Sequence, residues 1–248
     1  MAVPTQAELE VRTARILSEE QLARLHGARV VLFGVGGVGS NCAEALVRSG
    51  VGTLCVVDGD CVDASNLNRQ AIAFISTIGK RKVEVMCDFA RAMNPYVTVL
   101  PFDTFVTPQN LEAVLGQVRA AAGGIDFVID AIDTVSTKIA LAAWATSTNT
   151  PFIAAMGGAN KRHPECIELA DISHTRNDAL CRVMRRELKR RGITGVRVAY
   201  SSEPPHPVPL APGTTRASRS NLGTLSFMPA ALGHVIAGDV IRTLTGLE

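Results

Sequence analysis

At 248 residues the chain has room for one α/β domain of ordinary size carrying at most a modest appendage. Hydrophobic residues at 47% against 19% charged exclude wholesale disorder, and a net charge of +2 is too small to mark a nucleic-acid binder, so a polyanionic partner has to be argued from local clusters. The N-terminus lacks the cationic start and apolar core of a secretion signal and no apolar run reaches bilayer length, which predicts a cytoplasmic protein without membrane contact.

Residues 1–28 read as a helical arm. Beyond them, the runs RVVLF (29–33), TLCVV (53–57), VTVLPF (97–102), DFVIDA (126–131) and PFIAA (151–155) are continuously apolar, as expected of parallel strands buried on both faces. Amphipathic stretches at 38–49, 80–93, 108–122 and 135–148 alternate with them. That alternation predicts a Rossmann-like, doubly wound, mainly parallel α/β sheet with right-handed crossovers. The pattern then loosens into a C-terminal α+β extension: a charged loop at 160–174, a helix near 176–191 and a strand RVAYS at 197–201. Five prolines in EPPHPVPLAPGTT (203–215) exclude regular structure there, and a helix over 228–244 closes at Gly246. Six cysteines, with no CxxC pair, read as reduced thiols, with Cys42, Cys55 and Cys87 in apolar segments.

Gly34, Gly36 and Gly39 have GxGxxG spacing, with Gly37 between them, directly after a strand and before a helix. In that context the first glycine permits a tight turn, the second lets backbone approach a phosphate, and the third lets helix and strand pack; the helix N-terminus attracts the anion. Asp58 ends the second strand 19 residues beyond Gly39, where a carboxylate accepts hydrogen bonds from ribose hydroxyls, and Asp60 follows in the same turn. A pyrophosphate with about two negative charges is served by the glycine turn alone, whereas a triphosphate with roughly four needs cations. Arg69 and Lys82 supply them, with Asn66 and Asn68 placed to position them. These residues favour ATP over a nicotinamide cofactor. Asp133, at the end of the fourth strand, is the candidate Mg²⁺ ligand, since a hard cation shared with phosphate oxygens needs one carboxylate. Asp130, still within the strand, reads as a buried structural group.

Taken together, GxGGxGS, DGDxVxxSNLNRQ, GxxK and DAID resemble the E1-like adenylating superfamily, which includes ThiF, MoeB and HesA proteins. The resemblance implies one adenylating domain over 1–248, divided into the arm, a nucleotide-binding core at 29–160 and a substrate-side extension at 161–248. It implies ATP and Mg²⁺, and attack of a substrate carboxylate on a phosphorus of ATP. Asp58 would hold the ribose, Arg69 and Lys82 the phosphates, and Asp133 the metal. It further implies a homodimer in which an N-terminal arginine, Arg15 ahead of Arg12, reaches the partner's site.

Two zinc-binding CxxC pairs found in many members are missing, and no cysteine stands around 217–227, so a thioester step is not expected. TRNDALCRVMRRELKRRGI followed by VAYSSEPP, together with TAR at 13–15 and GGAN at 157–160, is similar to the tRNA threonylcarbamoyladenosine dehydratases (TcdA/CsdL). That likeness implies a tRNA partner, ANN-decoding and bearing the threonylcarbamoyl group at adenosine 37, and possible sulfur-transfer partner proteins. The alternative within the superfamily is a ThiF/MoeB-type adenylyltransferase acting on the C-terminal glycine of a ubiquitin-like sulfur carrier. Independently, Arg182, Arg185, Arg186, Lys189, Arg190 and Arg191 against Glu187 mark a helix able to meet a phosphate backbone. His163, His174 and His206, in polar loops, are read as incidental.

Overall fold

The computed structural model describes residues 3–209 and 222–247. Its centre is a seven-stranded sheet of β1 (Arg29–Phe33), β2 (Thr53–Val57), β3 (Thr98–Phe102), β4 (Phe127–Asp130), β5 (Phe152–Ala155), β6 (Ile167–Asp171) and β7 (Arg197–Ser201). The order is β3-β2-β1-β4-β5-β7-β6, parallel throughout except for the antiparallel pair β6 and β7. Chain order reverses between β1 and β4, so the helices that follow them lie on opposite faces of the sheet and a crevice opens between the two connections.

The helices are α1 (Gln6–Glu10), α2 (Glu19–Gly27), α3 (Gly37–Arg48), α4 (Lys82–Met93), α5 (Leu111–Ala122), α6 (Val135–Thr148), α7 (Ala179–Arg190) and α8 (Phe227–Thr245). The apolar strands serve both faces. Val30, Leu32, Leu54 and Val56 point into the core that α3, α4 and α8 cover, while Val31, Phe33, Cys55 and Val57 point into the one that α5 and α6 cover. A side chain that alternates sides every residue must therefore be apolar at every residue. A third cluster, including Ile139, Met184, Val198 and Tyr200, seats α7 against the sheet beside α6.

Two expectations are corrected. Strand β3, expected to be buried on both faces, is the edge of the sheet beside β2, with Thr98 and Pro101 exposed and Val99, Leu100 and Phe102 half-buried. The charged loop expected over 160–174 contains β6, which pairs along its whole length with β7. Its sequence, IELAD, lies at the sheet edge with every residue half-buried, so it needs no apolar run and carries charge where an unpaired edge would invite association. The C-terminal extension thus continues the same sheet. The proline-rich stretch is free of regular structure over 203–209, and its remainder lies outside the described residues. Helix α8 packs along α3, and Gly233 makes this possible: a Cβ there would stand 2.5 Å from the Val38 carbonyl oxygen. Among the described residues, no helix is long and apolar enough to cross a membrane.

Candidate nucleotide site

The turn after β1 has little steric latitude. Gly34 adopts φ +90°, and a Cβ on it would lie 2.7 Å from the Ala131 carbonyl oxygen; one on Gly39 would lie 1.8 Å from the carbonyl oxygen of Gly34. Only glycine fits either place. At Gly36, by contrast, a Cβ would meet nothing within 4 Å, so the backbone there faces open space. Helix α3 begins at the next residue and its first main-chain bond runs from Ser40 N–H to the Gly36 carbonyl. The N–H groups of the first turn therefore have no partner within the helix and are available to an anion.

Asp58 is tied into this turn. Its Oδ2 accepts from Val35 N–H at 2.6 Å and its Oδ1 from Asp60 N–H at 2.8 Å, which fixes the carboxylate at the carboxyl end of β2. Lys82, first residue of α4, is only 7% exposed at its side chain and its ammonium lies 3.0 Å from Asp60 Oδ2. Arg69 lays its aliphatic stem against the glycine turn, its Cγ 3.3 Å from where a Gly37 Cβ would be. Its guanidinium donates to Ser65 O at 2.7 Å and Asn68 Oδ1 at 2.9 Å. Asn66 is buried, and its Oδ1 accepts from Asp63 N–H, closing the short 3-10 turn that carries SNLNRQ. Asp133 is exposed, just past β4. An exposed carboxylate at the end of a strand is a donor of the kind that suits Mg²⁺, which keeps several waters and completes its shell with phosphate oxygens.

Arg15 lies exposed at the end of a 3-10 turn, Thr13–Arg15, and neither a hydrogen bond nor an ion pair ties it to the glycine turn of its own chain. The basic helix proves two-sided. Arg185 is half-buried and donates to Thr175 O at 2.9 Å and Thr175 Oγ1 at 2.6 Å, so it holds the loop before α7. Arg182, Arg186, Lys189, Arg190 and Arg191 stay exposed, with Arg186, Arg190 and Arg191 gathered around Glu187. Those three guanidinium groups hold the Glu187 carboxyl below its ordinary range.

Three residues without an earlier assignment support the site. Ser40 Oγ donates to Gly36 O at 2.6 Å and accepts from Ala71 N–H at 3.0 Å; Asn41 Nδ2 donates to Gly37 O and to Arg69 O. Together they fasten the SNLNRQ segment to the phosphate helix. Their signal was the serine and asparagine closing GxGGxGSN, one turn into the helix. The third is Lys138, whose buried ammonium lies 2.9 Å from the buried Asp130 Oδ2, a close ion contact without good hydrogen-bond alignment. It donates to Ile132 O at 3.1 Å and Ala155 O at 2.7 Å. Burial raises the Asp130 carboxyl against the opposing pull of Lys138. The pair clamps the loop that presents Asp133.

A glycine turn that opens a helix, a carboxylate at the end of the neighbouring strand and two cations nearby, at a sheet's switch point, are the arrangement of a nucleotide-binding α/β protein. The chain matches the ThiF family over residues 9–248 and belongs to it. It is 36% identical over 242 residues to the tRNA threonylcarbamoyladenosine dehydratase of Bacillus subtilis, covering 94% of this chain and 93% of that protein. The Escherichia coli dehydratase is 34% identical over 239 residues, covering 93% and 87% respectively. The solved E. coli TcdA in complex with ATP superposes with a TM-score of 0.85 at 30% identity, covering 99% of this chain and 98% of that one.

Proposed function

We propose that this protein is an ATP-dependent tRNA threonylcarbamoyladenosine dehydratase. It would activate the threonyl carboxylate on adenosine 37 of ANN-decoding tRNA and cyclise it with net loss of water. The observation that carries this reading is the likeness, over nearly the full length of both chains, to dehydratases of which one is solved with ATP. The glycine turn, Asp58, Arg69 and Lys82 at one sheet edge support it.

The chemistry follows from what a carboxylate lacks. It is a poor electrophile until one oxygen becomes part of a leaving group. In the proposed reaction a carboxylate oxygen attacks the α-phosphorus, the bond to pyrophosphate breaks, and an acyl-adenylate forms. A nitrogen or oxygen of the same substituent then attacks the carbonyl carbon, loses its proton and expels AMP, which carries away the oxygen counted as water. Intramolecular capture has a large proximity advantage, so no enzyme nucleophile is required. Lys82 and Arg69 would stabilise charge gathering on the phosphates, and the α3 N–H groups would hold one phosphate still. Mg²⁺, when bound by Asp133, would neutralise phosphate charge. The exposed face of α7 would meet the tRNA backbone.

We further read the protein as a cytoplasmic homodimer, with Arg15 acting across the interface. Large apolar side chains left in solvent, Ile16 at 74% and Ile75 at 84% exposure, support a covered surface near the arm and the SNLNRQ segment. Sedimentation of the full chain tests this: a monomer at all concentrations would refute it.

The decisive experiment incubates the protein with ATP, Mg²⁺ and tRNA carrying the threonylcarbamoyl group, then weighs the digested nucleoside. Loss of one water mass is expected. An unchanged mass, with pyrophosphate exchange stimulated instead by a di-glycine carrier tail, would move the assignment to the sulfur-carrier adenylyltransferases.

A further inference from the structure

Away from the nucleotide turn, His163, Glu203 and His206 converge: one ligand atom from each lies within 4.8 Å of the others. Chain distance hides this grouping. His163 follows β5 in the 157–163 loop, whereas Glu203 and His206 follow β7, and the parallel pairing of β5 with β7 brings the two loops together.

The cluster has a built floor. Glu203 is only 6% exposed at its side chain, and its Oε2 accepts from the main-chain N–H of Arg162 at 2.8 Å and of His163 at 3.0 Å. Its Oε1 is 2.8 Å from His206 Nε2. The two histidines form the rim, with side chains 57% and 34% exposed for His163 and His206. Glu165 Oε1 lies 2.8 Å from His163 Nδ1. A carboxylate there keeps a proton on Nδ1 and leaves Nε2 as the nitrogen with the lone pair, the arrangement that orients histidines toward metals.

We propose that His163, Glu203 and His206 form a site for a divalent transition ion of the zinc class, oriented by Glu165. Two imidazoles and one carboxylate are a three-ligand set that tetrahedral Zn²⁺ accepts, with water in the fourth place. Mg²⁺ is a poor match, because it prefers oxygen donors alone. The ion would join two loops already linked by the Lys161 ammonium, which donates to Asn177 O at 3.0 Å and to the carbonyl of Glu203. The same loops hold Gly223, whose N–H donates to Asn160 Oδ1 at 2.7 Å. Its effect would be to stiffen the substrate-side rim at the end of β5.

The test uses the full chain, stripped with chelator, without nucleotide or tRNA, so its result is independent of the assigned reaction. Titration with Zn²⁺ alone should show one equivalent bound per chain and raise the melting temperature, since an ion that binds only the folded state stabilises it. The His163→Ala/His206→Ala double variant should lose that equivalent and its thermal shift, while melting like the parent without zinc. Glu165→Ala should weaken binding by about tenfold. Co²⁺ in place of Zn²⁺ should give the visible absorption of a tetrahedral site in the parent only. Absence of saturable zinc uptake by the parent, or equal uptake by the double variant through groups such as the exposed Cys61, would overturn the proposal.

Discussion

The two halves of the sheet hold their polar residues by different means. At the carboxyl ends of β1 and β2, side chains are placed by the ends of strands and by glycines whose torsions leave no alternative, so the partners are near in sequence or reached through main chain. Around β5, β7 and β6, placement depends on pairs some forty residues apart, such as Lys161 with Glu203 and Glu203 with the N–H groups of Arg162 and His163. Burial pulls the Lys161 ammonium below its ordinary range, against the opposing carboxylates of Asp178 and Glu203. The first half prepares a surface for a ligand and leaves it open; the second uses its charges on itself. A strand-end site tolerates change in its exposed charges with little loss of fold, whereas a network of long-range contacts does not.

The sharpest way to break this comparison is a substitution in the first half that behaves like one in the second. Kinetically, the largest effects belong to the two site cations: Lys82→Ala and Arg69→Ala should each slow dehydration by about 10²- to 10³-fold, as loss of a preorganised charge does, and Lys82→Ala, which removes a buried partner of Asp60, should also melt somewhat below the parent while remaining folded. Parallel turnover and thermal melts check this, and unfolding of either variant would contradict it. For stability the largest effect lies at Lys138→Met, which strands the Asp130 carboxylate in the core and should cost about 3–5 kcal/mol by denaturant unfolding. A variant as stable as the parent would mean that the buried pair does not hold the Asp133 loop.

A smaller effect separates the two sides of α7. Arg185→Ala should lower stability by about 1 kcal/mol through its lost bonds to Thr175 and leave the salt dependence of tRNA binding unchanged. Arg186→Ala should leave stability alone, weaken tRNA binding, and reduce the slope of log affinity against log salt by about one. Equal salt slopes for both would remove α7 from the interface. The smallest effect is pH-dependent and sits at the foot of β1, where Arg29 grips Asp126 through two nitrogens. Hydrogen bonds from Arg29 hold the Asp126 carboxyl below its ordinary range. A depressed folded-state value means that this contribution is complete above the unfolded pKa, about 4, and is lost as pH falls through the folded one. Asp126→Asn should therefore be less stable than the parent near neutral pH, with the gap closing in acid; a gap independent of pH would contradict the linkage.

From the residues alone came the parallel sheet, the succession along the chain of its first five strands and their helices, the glycine turn, and the positions of Asp58 at the end of a strand, Lys82 at the start of a helix and Asp133 just past a strand. Each depends on local rules: an apolar run buried on both faces, a torsion only glycine adopts, a helix that starts where a strand stops. What waited for the tertiary structure was decided by partners distant in the chain. IELAD is a strand because RVAYS lies beside it, Lys138 is a buried clamp because β4 and β5 bring Asp130 and Ala155 to it, and Arg185 is structural because Thr175 folds over it. The convergence of His163 with Glu203 and His206 has the same origin. Periodicity and spacing record what a residue needs from its neighbours in sequence, but a charge buried by a distant segment looks, in the sequence, the same as one left in water.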